Sequence, residues 1–238
     1  VKLIKTLPEL QNRQCPKDPQ FLNPISIIGS LAVKEINQEA LEKTMAVFSQ
    51  WKTQLSNINL DKPIFKDFNL DGLVLSGSRL TLPRFENVSL RNSDFSETEI
   101  LLGVFERVQL DQANFNGALV AYSSFSDNEE HWLLSKNSSS SDDQKPDLSG
   151  GYLLSVNLRN FSVDPSNLMK AASLYKSALS VKSCDEVSKS NKTLFSPPIA
   201  EEDNRLKEME QFAKTYQFES DNPLASFLSN MTGRTCVR

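Results

Sequence analysis

The sequence predicts a mainly β solenoid flanked by an α-helical cap before it and a helical region after it. Three observations carry this reading. From residue 60 a large apolar residue returns at every fifth position without a miss: Leu60, Phe65, Leu70, Leu75, Leu80, Phe85, Leu90, Phe95, Ile100, Phe105, Leu110, Phe115, Val120 and Phe125. Neither an α-helix (period 3.6) nor a flat strand (period 2) produces a period of five, whereas a fixed internal period is the mark of a stacked repeat. Within the series a second period appears, because Phe65, Phe85, Phe105 and Phe125 stand twenty apart, as do Leu70, Leu90 and Leu110, and Phe95 and Phe115. After a break, Leu148, Leu153 and Leu158 resume the spacing of five.

The neighbours of the central residues are patterned too. Two positions before each centre the residue is often small, as at Ser78, Ser93, Thr98, Gly103, Ala113, Ala118 and Ser123. One position before, Asn or Asp recurs, at Asn59, Asn69, Asp94 and Asn114, and Ala113-Asn114-Phe115-Asn116-Gly117 combines these features. This pattern resembles the pentapeptide-repeat family, whose motif is A(D/N)LXX. The resemblance implies a right-handed quadrilateral β-helix in which each pentapeptide forms one side of a square and four form a coil. The central residue and the small residue would point inward, making Phe65, Phe85, Phe105 and Phe125 a core ladder with coils ~4.8 Å apart. Twenty-three residues separate Phe125 from Leu148 where five were due, an insertion of eighteen if phase is kept. That phase puts Leu148 above Leu110, Leu153 above Phe115 and Leu158 above Val120. The stack then has about four coils and a height of roughly 20 Å.

An open β-helix end exposes unpaired strand edges, so caps are expected. Asn37 can N-cap a helix running to about Leu55, with Leu41, Met45, Phe48, Trp51 and Leu55 as its apolar stripe. Before it, Pro8, Pro16, Pro19 and Pro24 break the chain into short pieces. After the repeat, Asp164-Pro165 opens a helix expected to reach about Val181, with Leu168, Ala171, Ala172, Tyr175, Ala178 and Leu179 at helical spacing. Ser183–Ser196 reads as a polar loop. Pro197-Pro198, followed by Glu201, Glu202 and Asp203, opens a second helix with the stripe Ile199, Leu206, Met209, Phe212, Ala213 and Tyr216. Asn222-Pro223 begins a short third helix ending near Met231. The expected organisation is an N-terminal segment and capping helix over 1–59, the β-helix over 60–162 with an inserted loop at about 127–146, and a C-terminal helical region over 163–238.

Composition narrows the function classes. Hydrophobic residues are 39% and charged residues 24%, which argues against wholesale disorder and against a membrane-spanning bundle. The net charge of −4 is the wrong sign for a general nucleic-acid binder. The longest apolar run, Ile25–Val33, is interrupted by Ser26, Gly29 and Ser30 and falls far short of the ~20 residues of a membrane span. No signal-peptide pattern appears, and a start at Val1 rather than Met leads us to expect a piece of a longer protein. Five Asn-X-Ser/Thr sequons, at Asn87, Asn137, Asn160, Asn191 and Asn230, are expected by chance in a chain this rich in Ser and Asn. Cys15, Cys184 and Cys236, odd in number and widely spaced, read as reduced thiols of a cytoplasmic protein, with a Cys15–Cys236 pairing left open.

Little catalytic chemistry is visible. No phosphate loop, dinucleotide fingerprint or nucleophile elbow occurs. His131 is the single imidazole, and it sits in the Ser-rich insertion, a poor place to hold a catalytic base. The three cysteines with His131 match no zinc-ligand spacing. Carboxylates such as Asp94, Glu97, Glu99 and Glu106 should point outward into solvent. No catalytic residue, cofactor or metal is therefore expected. The insertion supplies the one binding candidate: His131, Trp132, Leu133 and Leu134 stand together in a polar segment, and an exposed Trp with Leu neighbours makes a partner anchor unless it folds back over the helix flank.

Two function classes follow. Regular outer faces suit contact with other macromolecules, so the first is a non-enzymatic, monomeric module that binds a protein partner. A helical prefix, a short β-helix and a helical tail resemble in layout the N-terminal half of bacterial HECT-like effector ubiquitin ligases. That resemblance implies partner recognition in a host-cell cytosol after secretion from a bacterium, with catalysis outside this chain. The second is DNA mimicry against a bacterial topoisomerase, as in quinolone-resistance pentapeptide proteins. Residues 60–125 carry nine acids and six bases, and residues 126–163 six acids and three bases, a net of six negative charges. Duplex DNA of ~20 Å would carry about twelve.

Overall fold

The structure is a computed structural model. It describes residues 52, 53, 55–126, 145–161, 163–198, 211 and 236. The five-residue period resolves into a four-sided parallel β-solenoid. Two sides are strands. One five-stranded sheet runs β1 (Asn59–Asp61), β3 (Arg79–Thr81), β5 (Glu99–Leu101), β7 (Leu119–Ala121) and β9 (Tyr152–Leu154). The other runs β2 (Ile64–Lys66), β4 (Arg84–Ser89), β6 (Val104–Gln109), β8 (Ser124–Ser126) and β10 (Asn157–Asn160). Every pairing is parallel, and the centres stack directly: Leu60 on Leu80 on Ile100 on Val120 on Leu153, and Phe65 on Phe85 on Phe105. The other two sides are hydrogen-bonded turns. On them the carbonyl of the centre accepts from the amide three residues on, as in Leu70 to Leu73, Leu75 to Ser78, Phe95 to Thr98 and Phe115 to Ala118.

The corners explain why five residues make one side. The residue two after each centre lies in the left-handed region at Asn57, Lys62, Asp67, Gly72, Gly77, Leu82, Asn87, Asn92, Glu97, Leu102, Arg107, Gln112, Gly117 and Tyr122. Left-handed backbone costs a non-glycine residue ~1–2 kcal/mol and is worst for β-branched side chains. No Val, Ile or Thr occupies one of these corners. The preference for Asn or Asp before the centre also has a cause: the side chain caps the amide two residues on, Asn69 to Asp71, Asp94 to Ser96, Asn114 to Asn116 and Asp147 to Ser149.

Inside, Phe65, Phe85, Phe105 and Phe125 stack with ring centroids 4.9, 4.9 and 4.3 Å apart, and Phe95 on Phe115 at 4.9 Å. All except Phe115 and Phe125 are fully buried. The small inward residues carry hydroxyls that are satisfied by the coil below: Ser78 donates to Leu55 O, Thr98 to Leu75 O and Ser93 to Leu70 O. Gly103 occupies a tight inward position. A Cβ there would come within 2.9 Å of the Phe105 ring and 3.0 Å of Ile100.

Several expectations are corrected. Leu148 does not sit above Leu110. Asn114 bridges Asp147, so Leu148 lies above Phe115; Leu153 then lies above Val120, and Leu158 above Phe125. Leu148 therefore stands two sides on from Phe125, not one. The surplus is thirteen residues rather than eighteen. The stack also begins one side early: Asn57 donates to Ser76 O, and Leu55 is a buried core residue of the first coil rather than the end of a helix stripe. The expected helix from Asp164 to Val181 is only α1 (Pro165–Leu168), N-capped by Asp164. Beyond it Leu153 N donates to Ser173 O and Leu158 N to Ala178 O, so Leu174 and Leu179 continue the stack. Where a polar loop was expected, α2 (Val181–Ser190), capped by the Ser180 hydroxyl, closes the top with a 3₁₀ turn at Lys192–Phe195. The proposed capping helix before Leu55, the helix opened by Pro197-Pro198 and the helix after Asn222 lie outside the described residues, apart from Gln211, which is helical.

The cysteine expectation is corrected as well. Cys184 of α2 is disulfide-bonded to Cys236 with Cα atoms 5.5 Å apart. Cys236 is thus neither a free thiol nor the partner of Cys15. The linear separation of 52 residues concealed the pairing, because the spacing of three cysteines does not say which two meet.

Candidate interaction surface

Strand alternation turns the residues flanking each centre outward. On the sheet centred on the phenylalanine ladder this outer face is charged. Lys66 Nζ lies 3.0 Å from Glu86 Oε1, Arg84 Nη2 lies 3.6 Å from Glu86 Oε2 and 4.0 Å from Glu106, and Arg107 bonds Glu86 at 2.9 Å and Glu106 at 3.1 Å. The rungs are the reason. Parallel pairing sets Lys66 against Glu86 and Glu86 against Glu106, and the two arginines hold the like charges together. The hydrogen bond from Lys66, joined by the charges of Arg84 and Arg107, holds the Glu86 carboxyl below its ordinary pKa against the effect of burial.

The corner beside it continues the pattern. Arg91 Nε bonds Asp111 at 3.0 Å, while Asp71 accepts from the Arg91 amide and the Ser89 hydroxyl. On the other sheet a shallow groove is lined by Asn57, Asn59, Arg79, Glu97 and Glu99, with Arg79 and Glu99 3.7 Å apart. Near the top, Lys145 pairs with Asp164, whose carboxyl is lowered to about 2 by that hydrogen bond and by one from Ser166.

His131, Trp132, Leu133 and Leu134 lie outside the described residues. Phe65, Phe85, Phe105 and Phe125 face inward and offer nothing to a ligand. Asp94 accepts from the Ser96 amide and from Asn114 Nδ2, and Glu99 and Glu106 are ion-paired, so these acids stabilise coils. Among the described residues no three His, Cys, Asp or Glu converge as a metal site, and no helix is long and apolar enough to cross a membrane. Sequence reasoning missed the charged ladder. Its signal was legible as opposite charges twenty apart: Lys66 and Glu86, Arg79 and Glu99, Arg91 and Asp111.

No protein-family model matches the chain, and no curated protein sequence does. Solved structures similar to it are pentapeptide-repeat proteins. One, from the Arabidopsis thaliana thylakoid lumen, is 16% identical over 51% of this chain and 79% of that one, with a TM-score of 0.35. Another, from the cyanobacterium Cyanothece 51142, is 19% identical over 44% of this chain and 76% of that one, with a TM-score of 0.27. A third, the plasmid-mediated fluoroquinolone resistance protein QnrB1, is 11% identical over 55% of this chain and 63% of that one, with a TM-score of 0.18.

Proposed function

We propose that this repeat protein is a non-enzymatic protein-interaction module, the partner-recognition part of a bacterial effector that acts in a host cell. The observation that carries the reading is the ladder of Lys66, Arg84, Glu86, Glu106 and Arg107. It is a charged face held in one geometry by its own ion pairs, with Lys66 53% and Arg84 45% exposed. Such a face is preorganised, and charges fixed before contact select partners by complementarity and steer association. The insertion, with His131, Trp132, Leu133 and Leu134, supplies apolar anchor residues of the kind that dominate binding energy.

The second reading, DNA mimicry against a topoisomerase, is favoured by the net negative charge of residues 60–163. The pairing of those charges weighs against it. Lys66, Arg79, Arg84, Arg91 and Arg107 are bound to Glu86, Glu99, Glu106 and Asp111, which thins the field a duplex would present.

Affinity capture with three baits separates the readings. They are the intact chain, Glu86→Lys, and a chain lacking residues 128–140, whose removal returns the repeat to regular phase. One animal-cell protein retained by the intact chain and reduced at least tenfold with either variant is the expected result. Equal retention by all three baits removes both surfaces from the proposal. Retention of bacterial gyrase by the intact chain transfers the case to mimicry.

A further inference from the structure

The disulfide between Cys184 and Cys236 joins the cap to itself and takes no part in the charged ladder. Cys184 stands on α2, which packs on α1 and on the 3₁₀ turn. Both cysteines are half-buried and lie against the core, so a small thiol in water can reach the sulfurs. The coils below are held without this bond. Their rungs join residues twenty apart, and Phe65, Phe85 and Phe105 stack between them, closed to water. The cap is held more thinly. The inward face of α2 carries Ser183, Cys184, Val187 and Ser188, and Val187 is the one fully buried apolar side chain of these four. Among the described residues the Ser188 hydroxyl is shut off from water and has no hydrogen-bond partner. It follows Cys184 by one turn on the same face. A buried hydroxyl without a partner destabilises the state that buries it.

We propose that this disulfide is a thiol-exchange site that switches the cap between a clipped and a released state, with a small intracellular monothiol of the glutathione class as reductant. The thiolate of one reductant molecule attacks one sulfur of the pair. A mixed disulfide forms, the Cys184–Cys236 bond breaks, and the other cysteine leaves as a thiolate that takes a proton from water. A second reductant thiolate then attacks the reductant's sulfur in the mixed disulfide. The reductant's own disulfide forms, and the remaining cysteine leaves as a thiolate and is protonated in turn. Two electrons pass to the protein, and two reductant thiols become one disulfide. Release removes a link that spans 52 positions, so α2 keeps Val187, α1 and the 3₁₀ turn as its hold on the stack. Water then reaches Ser188, which favours the released state. Disulfides persist in oxidising compartments and are reduced in the cytosol, so the state of the cap follows the compartment around it. The charged ladder lies on coils that stay paired in both states, and the switch stands whether or not that face binds a partner.

The test uses the full chain with Cys15→Ser, which leaves Cys184 and Cys236 as its two cysteines. The oxidised protein is titrated with reduced and oxidised glutathione in the absence of denaturant. Free thiols are counted by maleimide tagging, and amide hydrogen exchange is followed by mass spectrometry. Both cysteines should become taggable together, and the amides of α2 should exchange roughly tenfold faster or more, while β4 and β6 keep the protection of the oxidised state. Excess oxidised glutathione should restore slow exchange. Cys184→Ser should exchange fast at α2 without reductant and ignore glutathione; Cys236→Ser takes its place if that chain does not fold. Ser188→Ala removes the unpartnered hydroxyl from the clipped state and should raise the glutathione needed for half-reduction severalfold. An unchanged midpoint strikes Ser188 from the device. Three results overturn the switch itself: a disulfide that glutathione does not reduce in the folded chain, reduction that opens β4 and β6 together with α2, and reduction that leaves α2 exchange as it was.

Discussion

The outer faces of the two sheets rest on equivalent inner ladders and are built for different ends. Over the phenylalanine ladder the outward residues are Lys66, Arg84, Glu86 and Glu106, bound to one another, with Lys66 and Arg84 open to water around the half-buried Glu86. Over the ladder of Leu80, Ile100 and Val120 the outward residues become Leu101, Leu119 and Ala121, which are closed to water. The repeat dictates only what points inward and what turns the corner. The positions either side of the centre are free, and they are where a solenoid acquires a specific role.

Changes to the shared interior should exceed any change on either face. Phe105→Asp buries a charge between two stacked rings and should cost more than ~4 kcal/mol, abolishing the circular dichroism melt of the β-helix and both faces with it. The faces themselves are compared by placing one residue type on each. Leu119→Glu should lower stability by ~2–4 kcal/mol, and Ser124→Glu, at an outward position of β8, by less than ~0.5 kcal/mol. Equal costs in urea unfolding would erase the distinction drawn here. At the corners both faces share the left-handed constraint, so Gln112→Val, at φ 56° and exposed, should cost ~1–2 kcal/mol and Gln112→Gly much less.

The smallest effect is electrostatic and belongs to the charged face alone. The folded pKa of Glu86 lies below the ordinary 4.5. Its contribution is therefore present above that value and fades as pH falls through the folded one. Glu86→Gln should melt below wild type at pH 7, and the gap should close as pH drops below about 4.5. A gap that stays constant with pH would show that the Glu86 charge is not coupled to folding.

Much of the fold was legible because its determinants are local and periodic. What stayed hidden has physical causes. Leu55 is five before Leu60, yet it also fits a helical stripe with Trp51 and Phe48, and spacing alone does not arbitrate between two periods that coincide at one residue. Leu174 and Leu179 keep the spacing of five, but they stand 21 residues above Leu153 and Leu158. The Asp164-Pro165 helix start just before them is real but ends within one turn. The side taken up by Leu148 depended on an insertion whose length carries no phase. The charged ladder needed the rungs, since Glu86 and Glu106 would repel without Arg84 and Arg107 between them.

The rung spacing also governs how the chain can come together. In the lower coils every pairing joins residues twenty apart, as in Arg79 with Glu99 and Val104 with Ser124. Parallel sheets usually require distant segments to meet, which slows folding. Here each coil closes a short loop onto one already formed, so assembly can proceed like a zip. Across the insertion the separation rises to 33, as between Val120 and Leu153. Loop-closure entropy grows only logarithmically, so that longer step costs about 0.4 kcal/mol more than its neighbours. A solenoid of this kind can accept an extra loop at a corner almost without thermodynamic consequence, which leaves corners as the natural places to add new contacts.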